Sequence, residues 1–248
     1  MDTWKFFDIT HRDHLLCNPL NLDKIDEMIG LLRLPPNAHV LELATGKGEF
    51  LIRLIEQYRV SAVAVDVSPH CIRDFRQKMG QRTPEADVLL LQMGGADYQP
   101  QPGEQFDLIV CLGASWIFDG HRGTLAALQK MVKPGGLILV GEPFWRQEPD
   151  PAYLRAEDFQ RETFGYHADN VAVGESLDLR LLHSIVSSDD DWDRYEGLQW
   201  QAAVRYTQEN PDDPDNVELL RRVKKGQDTY LRWGRETLGW ALYLFQVS

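Results

Sequence analysis

The sequence predicts an α/β fold with a mainly parallel sheet and a ligand site at one edge of that sheet. An apolar segment at residues 40–43 indicates a buried strand, and it runs into a small-residue loop that contains Gly46 and Gly48. Apolar residues then recur at the spacing of one helix face over residues 50–58. A second, Val-rich strand follows and ends at Asp66. This succession is the layout of a nucleotide site at the carboxyl edge of an α/β sheet.

The glycine loop suits the close approach of a charged ligand. Gly46 and Gly48 lack a Cβ atom, and the following helix start presents free N–H groups to a negative group. A dinucleotide-binding fingerprint needs another small residue three positions after the second glycine, where this chain has Leu51. Instead, an acidic residue, Glu42, lies on the strand just before the loop. Asp66, at the tip of the next strand, is placed to accept both ribose hydroxyls of an adenosyl group.

The other elements follow in chain order from the same periodicities. Residues 1–19 show neither a strand nor a helix pattern, and a helix after them is stopped by Pro35-Pro36. Ser68 as N-cap and Pro69 as first helical residue begin the helix that follows Asp66. Later strands are predicted at residues 88–91, 106–111, 137–140, 179–186 and 240–247, with a tip at 141–143, and later helices at 124–132 and 189–234, the last broken at 210–214.

Composition narrows the class of protein. The chain of 248 residues is 43% hydrophobic, which is enough for a sizeable core, and its net charge is −12. The acidic balance argues against a nucleic-acid partner, and no apolar stretch is long enough to span a bilayer. Three widely spaced cysteines indicate neither a disulfide framework nor a zinc site. We therefore expect a cytoplasmic protein without a metal, a nucleic acid or a membrane as partner.

Five short motifs stand in a fixed order along the first part of the chain. They are Glu42-x-Ala44-x-Gly46-x-Gly48, Asp66, Ala96-Asp97, residues 106–110 and residues 133–136. In this order and spacing they resemble the motifs of class I S-adenosylmethionine-dependent methyltransferases. That family more often has glycine at position 44, and an alanine fits there if its φ is negative. Asn18-Pro19 and residues 113–117, 141–147 and 192–196 resemble a bacterial family of uncharacterised small-molecule-type methyltransferases.

The resemblance implies a seven-stranded Rossmann-like methyltransferase sheet whose last strand is antiparallel, with helical lid insertions after strands five and six. Residues 1–248 then form a single methyltransferase domain. Within it we expect an N-terminal cap and helix at 1–36, a cofactor-binding core at 37–143, and lid insertions at 144–178 and 188–236. The implied cofactor is S-adenosylmethionine, with S-adenosylhomocysteine as the product.

The resemblance also implies a set of cofactor-binding residues. Glu42 is expected near the amino group of the methionine end, Asp66 at the ribose and Asp97 at the adenine amino group. Cys111 and Gly113 are expected beneath the transferred methyl. The full set of expected cofactor-binding residues is Glu42, Ala44, Gly46, Gly48, Asp66, Val67, Ala96, Asp97, Cys111 and Gly113.

The substrate side is predicted from the chemistry of methyl transfer. Displacement at a sulfonium needs alignment above all, and a general base only where the nucleophile must lose a proton. The expected catalytic residues are Glu142, Trp116 and Tyr195, with Glu142 as the candidate base. The expected substrate-binding residues are Trp116, Trp145, Arg146, Trp192 and Tyr195. We expect Trp116 and Glu142 to border one pocket with the glycine loop, whereas Arg146 either clamps an acidic substrate group or neutralises Glu142.

Two other functions share part of this pattern. A non-catalytic adenosyl-binding or regulatory module would keep Glu42 and Asp66 but needs no organised substrate pocket, and the aromatic lid segments argue against it. A nicotinamide-dependent oxidoreductase would share the glycine loop, and Leu51 argues against it. The sequence therefore favours transfer of a methyl group from S-adenosylmethionine to a small-molecule acceptor.

Overall fold

One seven-stranded sheet organises the computed structural model, which describes all 248 residues. Its strands lie in the order β3-β2-β1-β4-β5-β7-β6. The last strand in the chain, β7, is antiparallel to both of its neighbours, as predicted. The strands are β1 at His39–Leu43, β2 at Ser61–Asp66, β3 at Val88–Gln92, β4 at Phe106–Leu112, β5 at Val132–Trp145, β6 at Leu179–Val186 and β7 at Leu238–Val247.

Helices cover both faces of this sheet. One apolar core includes side chains of α2, α3, α4 and α8, and the core on the opposite face includes side chains of α5. No helix combines the length and the apolar composition that crossing a bilayer requires. The helices are α1 at Thr3–Thr10, α2 at Leu22–Leu31, α3 at Glu49–Tyr58, α4 at Pro69–Arg82, α5 at His121–Gln129, α6 at Pro151–Glu157, α7 at His167–Glu175, α8 at Asp189–Glu209, α9 at Asn216–Thr229 and α10 at Arg235–Thr237.

The strand register brings the predicted site residues to one edge. Leu43 of β1 pairs with Val65 of β2 and with Cys111 of β4, so these three parallel strands end at the same level. Asp66 of β2 pairs in turn with Gln92 at the end of β3. The loops after β1, β2, β3 and β4 therefore meet at the carboxyl edge of the sheet.

The first two helices after this edge begin as the sequence predicts. In α3, successive turns bury Phe50, Leu51, Leu54 and Ile55 against the sheet. In α4, the Ser68 hydroxyl accepts the Cys71 N–H at 3.3 Å, and Pro69 occupies the first helical position. These starts fix the direction in which the chain leaves each loop.

The prediction of an irregular opening segment is wrong, because residues 3–10 form α1. The Asp2 carboxylate caps this helix by accepting the Lys5 N–H at 3.1 Å. The Lys5 ammonium then donates to Asp213 at 2.9 Å and to Asp215 at 2.8 Å, both of which precede α9. Much of what orders this helix thus comes from residues far along the chain, which local periodicity does not reveal.

The predicted bounds of α5 and β5 are also corrected. The helix lies about three residues earlier than residues 124–132, and β5 already begins at Val132. The expected tip at residues 141–143 is inside β5, because β7 pairs with that strand as far as Trp145 and Leu238. Residues 141–143 are therefore paired strand and not the predicted tip. This pairing places Glu142 within the sheet.

Candidate functional site

The glycine loop between β1 and α3 adopts a tight left-handed path. Gly46 and Gly48 have φ values of +56° and +71°, a region that favours glycine. An ideal Cβ on Gly48 would lie 2.4 Å from the ring of Phe75 on α4. Gly48 is therefore needed for the packing of α4 against the loop, independently of any ligand.

Ala44 departs from the expectation of a negative φ, since its φ is +54°. The loop turns immediately after Leu43, and the next residue, Thr45, donates its N–H to the Val65 carbonyl at 3.0 Å. This backbone bond holds the turn in place although alanine is strained there. A left-handed conformation costs a residue with a Cβ atom about 1–2 kcal/mol.

We expect Ala44→Gly to raise the free energy of unfolding by about 1 kcal/mol, because relief of strain outweighs the added freedom of the unfolded chain. Urea denaturation of both proteins measures the change. Ala86→Gly is the matched control, since Ala86 lies in a loop without positive φ and should lose about 0.4–1 kcal/mol. If both variants lost the same free energy of unfolding, Ala44 would not be strained.

Asp66 joins the tips of β1 and β2. Its Oδ2 accepts the Gly46 N–H at 2.7 Å, and its Oδ1 accepts the Ser68 N–H at 2.8 Å. Burial raises the pKa of this carboxyl, and the backbone N–H groups of Ser68, Gly46 and Val67 partly offset the rise. A carboxylate has about four acceptor positions, so Asp66 keeps capacity for hydroxyl donors.

Glu42 is a buried carboxyl without a cationic partner. It is 2% exposed and forms no ion pair. The Thr45 hydroxyl donates to its Oε2 at 2.5 Å. Burial raises the pKa of Glu42 to about 8; nearby Asp66 adds to the rise, and the bond from Thr45 opposes it. A group of this kind is suited to receive a cation or a proton.

The expected adenine-binding residues lie at the same edge. Val67 follows Asp66 and is half exposed, and Ala96 and Asp97 lie in a short 3₁₀ turn after β3. Gly95 precedes them, and an ideal Cβ there would lie 2.7 Å from Ile117 in the loop after β4. The loops after β2, β3 and β4 are thus packed side by side.

The opening segment covers the glycine loop, and sequence reasoning missed its contacts. The Lys47 ammonium donates to the His11 carbonyl at 2.7 Å, and Cys17 Sγ lies 3.6 Å from where a Gly46 Cβ would be. Tyr195 of α8 completes the contact, because its hydroxyl lies 3.0 Å from His11 Nε2 and its carbonyl 2.8 Å from His14 Nε2.

Two polar atoms of this segment have no partner in the protein. His14 Nδ1 and Asn18 Oδ1 are both buried and form no hydrogen bond. Burial lowers the pKa of His11 to about 3 and also lowers that of His14, so both imidazoles are neutral. The sequence signal for Asn18 was its place in the Asn18-Pro19 motif. No group of three or more His, Cys, Asp or Glu side chains is placed to hold a metal ion.

Glu142 does not occupy the position expected of a general base. It points to the same face of the sheet as Val140 and Phe144, whereas α3 and its glycine loop pack on the opposite face. It is 3% exposed, and the Ser115 hydroxyl donates to its Oε1 at 3.0 Å. The expected partner Arg146 is not near it. Glu142 therefore stabilises the loop after β4 by accepting the hydrogen bond from Ser115.

Three other expected site residues have structural roles. Cys111 is buried within β4, where burial raises the pKa of its thiol to about 12. Trp145 is 1% exposed, packs among aromatic rings and donates to the Arg161 carbonyl at 2.9 Å. Arg146 pairs with Asp189 at the start of α8. None of the three is available to a ligand at the edge.

The remaining aromatic residues lie in two places, one with Trp116 and one with Trp192 and Tyr195. Trp116 is 73% exposed on the 3₁₀ turn after β4, and Tyr195 contacts the opening segment. Trp192 packs between helices, stacked on Tyr230 with ring centroids 6.2 Å apart and edge-to-face with Tyr195 at 6.3 Å. The expectation of one pocket that joins Trp116, Glu142, Trp192 and Tyr195 is therefore not met.

Comparisons with known proteins agree with this arrangement. Residues 40–136 match a family model described as a methyltransferase domain. A SAM-dependent methyltransferase from Geobacter sulfurreducens, crystallised with S-adenosyl-L-homocysteine, is 27% identical, with 98% of each chain covered and a TM-score of 0.92. A SAM-dependent methyltransferase from Thiobacillus denitrificans, also with S-adenosyl-L-homocysteine, is 29% identical over 100% of each chain, with a TM-score of 0.91. YjhP of Escherichia coli K12 is 26% identical over 98% of each chain.

Proposed function

We propose that this chain is a class I S-adenosylmethionine-dependent methyltransferase that transfers a methyl group to a small-molecule acceptor, which its methyltransferase-domain match and its full-length structural relatives support. The observation that carries the proposal is the buried, unpaired Glu42 beside a glycine loop that Asp66 ties to the next strand. The oxidoreductase alternative is not favoured, because the full-length structural relatives are methyltransferases.

The residues at the carboxyl edge fit an adenosyl cofactor. Asp66 combines a fixed carboxylate with free acceptor positions, which suits two ribose hydroxyls. Val67 offers an apolar, half-exposed surface next to it, which suits an adenine face. Asp97, also exposed, would accept from the adenine amino group. Ala44, Gly46 and Gly48 would line the backbone approach, and Gly113 would lie near the transferred methyl.

Glu42 fits the amino end of the same cofactor. A carboxyl that is buried without a cation is destabilised when ionised, and a bound ammonium group would supply the missing positive charge. The unpartnered His14 Nδ1 and Asn18 Oδ1 lie in the segment that covers this loop, and each has hydrogen-bonding capacity left for a ligand. This supports a role for the opening segment in binding the cofactor.

The chain's contribution to the reaction is alignment. When bound, S-adenosylmethionine supplies an electrophilic methyl group on a sulfonium. Glu42 and Asp66 would hold the two ends of the cofactor and so fix the position of that methyl group, which is what a displacement requires most. The opening segment and Tyr195 would exclude water from the same edge. Glu142 is left out of this scheme as a base because of the face it occupies.

We expect Asp66→Ala to weaken binding of both S-adenosylmethionine and S-adenosylhomocysteine about tenfold. Charge-assisted hydrogen bonds to the ribose are lost, and because water partly replaces them the total loss of binding free energy should be about 1.5 kcal/mol. Isothermal titration with both compounds measures the change. Asp87→Asn, an exposed carboxylate at the opposite end of β3, is the control and should bind normally.

Two outcomes would contradict the proposal. Binding of NAD without binding of either adenosyl compound would exclude a methyltransferase. Binding of both compounds without turnover in a screen of small amines, thiols and acids would instead support a non-catalytic adenosyl-binding module.

A further inference from the structure

A cavity of about 250 Å³ lies away from the glycine loop, between α6, α8, α9 and the start of β7. Aromatic rings form much of its wall, with Trp192 and Trp200 from α8, Tyr153 from α6 and Tyr230 after α9. Tyr230 lies in a single π-helical turn, residues 230–234, a feature frequent at functional sites. This volume is just below the range of about 300–1,000 Å³ that holds drug-sized ligands, so it suits a smaller molecule.

Two carboxyl groups line the same cavity. Glu196 of α8 is half-buried, and Glu157 at the end of α6 is exposed at the cavity's rim. Neither forms an ion pair within 4 Å. Burial raises the pKa of Glu196 to about 7, and the charge of Glu157 adds to the rise. The charge of Glu157 therefore disfavours the ionised form of Glu196 across the cavity.

One basic side chain also lines the cavity, and it lies over the aromatic ring of Phe6, another residue of the cavity wall. This side chain is Arg222, whose guanidinium is 3.9 Å from the ring centroid. Lys225 is exposed on α9 and contributes only a distant attraction to Glu157. The wall therefore keeps a net negative charge among aromatic faces.

A buried donor gives a second, independent indication of a ligand. Trp192 is 9% exposed, and its Nε1 has no hydrogen-bond partner. A buried N–H group without an acceptor is costly, and an oxygen atom of a ligand in the cavity would satisfy it. The side chain is fixed in place by stacking on Tyr230, whose hydroxyl donates to Asp193 at 2.7 Å.

We propose that this cavity binds a small organic cation that also carries an oxygen acceptor, held by Glu196 and Glu157, the surrounding aromatic faces and the Trp192 N–H. Aromatic rings attract cations through the negative charge of their faces, and quaternary or protonated ammonium groups are the ligands that such walls recognise. The nearby carboxylates provide the opposite charge.

The cation is the part of the methyl acceptor by which the protein recognises that molecule. This assignment rests on the proposed function. Leu238 lines the cavity, and Trp240, two residues further along β7, packs against Gly113 and Gly141 at the carboxyl edge. The cavity is thus next to the reaction site without being part of it. A nitrogen held as an ammonium group has no free lone pair, so a different atom of the same molecule accepts the methyl.

Choline is the probe for this site, because it combines a quaternary ammonium with a hydroxyl oxygen. Ligand-observed NMR titration should show saturable binding of choline to the wild type. Its neutral isostere 3,3-dimethylbutan-1-ol, in which carbon replaces the charged nitrogen, should bind at least about tenfold more weakly. Glu196→Gln should weaken choline binding by a similar factor, and Trp192→Phe should weaken choline more than tetramethylammonium, which has no oxygen.

The controls separate this proposal from the proposed function. Glu85→Gln, in an exposed loop beside β3, should leave choline binding unchanged, and Glu157→Gln serves as a second test if Glu196→Gln is poorly folded. S-adenosylhomocysteine is titrated into each variant and should bind as in the wild type. Equal binding of choline and its neutral isostere, or no saturable choline binding, overturns the cation site even where the adenosyl compound binds. Choline binding without adenosyl binding overturns only the methyltransferase proposal.

Discussion

Replacing Glu42 with Gln should weaken S-adenosylhomocysteine binding about 100-fold and remove the pH dependence of that binding. Loss of one partner of a buried charge pair costs about 2–5 kcal/mol. In the free protein the pKa of Glu42 is raised to about 8, so the group is protonated near neutral pH. It must ionise to hold the ligand's ammonium group, and binding therefore releases a proton.

The sign of the pH effect follows from this proton release. Between about pH 6 and 7.5 the ligand's amino group stays cationic, so wild-type affinity should rise by up to about tenfold per pH unit. Titrations in two buffers of different ionisation enthalpy count the proton directly. The control ligand is 5′-methylthioadenosine, which lacks the amino acid portion and should bind both proteins equally. A flat wild-type profile would exclude Glu42 as the partner of the amino group.

Glu142→Gln should stabilise the protein at pH 8 by about 3 kcal/mol while changing its stability little at pH 4.5. Burial raises the pKa of Glu142 to about 7, and the hydrogen bond from Ser115 opposes the rise. A carboxyl whose pKa is higher in the folded protein than in the unfolded chain contributes its full stability at pH values below its unfolded-state pKa. That stability is lost as the pH rises from about 4.5 to about 7, and a neutral amide does not undergo this loss.

Urea unfolding of wild type and variant at both pH values measures the difference. Glu175→Gln, an exposed carboxylate at the end of α7, is the matched control for removal of one charge. A variant that is less stable than the wild type at pH 8 would mean that the ionised carboxylate is favoured by its bond to Ser115. Ser115→Ala would then be expected to lose a similar amount of stability at that pH.

The parts of the site that could be predicted depend on short-range signals. The strand before Gly46, the helix after Gly48 and the acidic tip at Asp66 each follow from residues within a few positions of one another. Parallel pairing of β1 with β2 then brings Asp66 to the Gly46 N–H at 2.7 Å. For this reason the sequence predicts which loops meet at this edge of the sheet.

The parts that could not be predicted depend on distant partners. β5 extends through Glu142 only because β7 pairs with it, and that pairing also decides the face on which Glu142 lies. Likewise, α1 is held by acidic residues before α9. The positive φ of Ala44 follows from a tight turn in which glycine would be less strained, and no local sequence feature predicts this conformation. The dispersed tryptophans belong to three separate packing environments.

The central position of β7 has a consequence for how the protein is made. Residues 239–245 are buried between β5 and β6, yet they follow every other element of the sheet in the chain. During synthesis on the ribosome, the outer edge of β5 and the inner edge of β6 therefore lack partners until β7 emerges. Unpaired strand edges promote association with other chains. The nascent protein should depend on chaperones at that stage, and its yield should be sensitive to any change that delays the docking of this one strand.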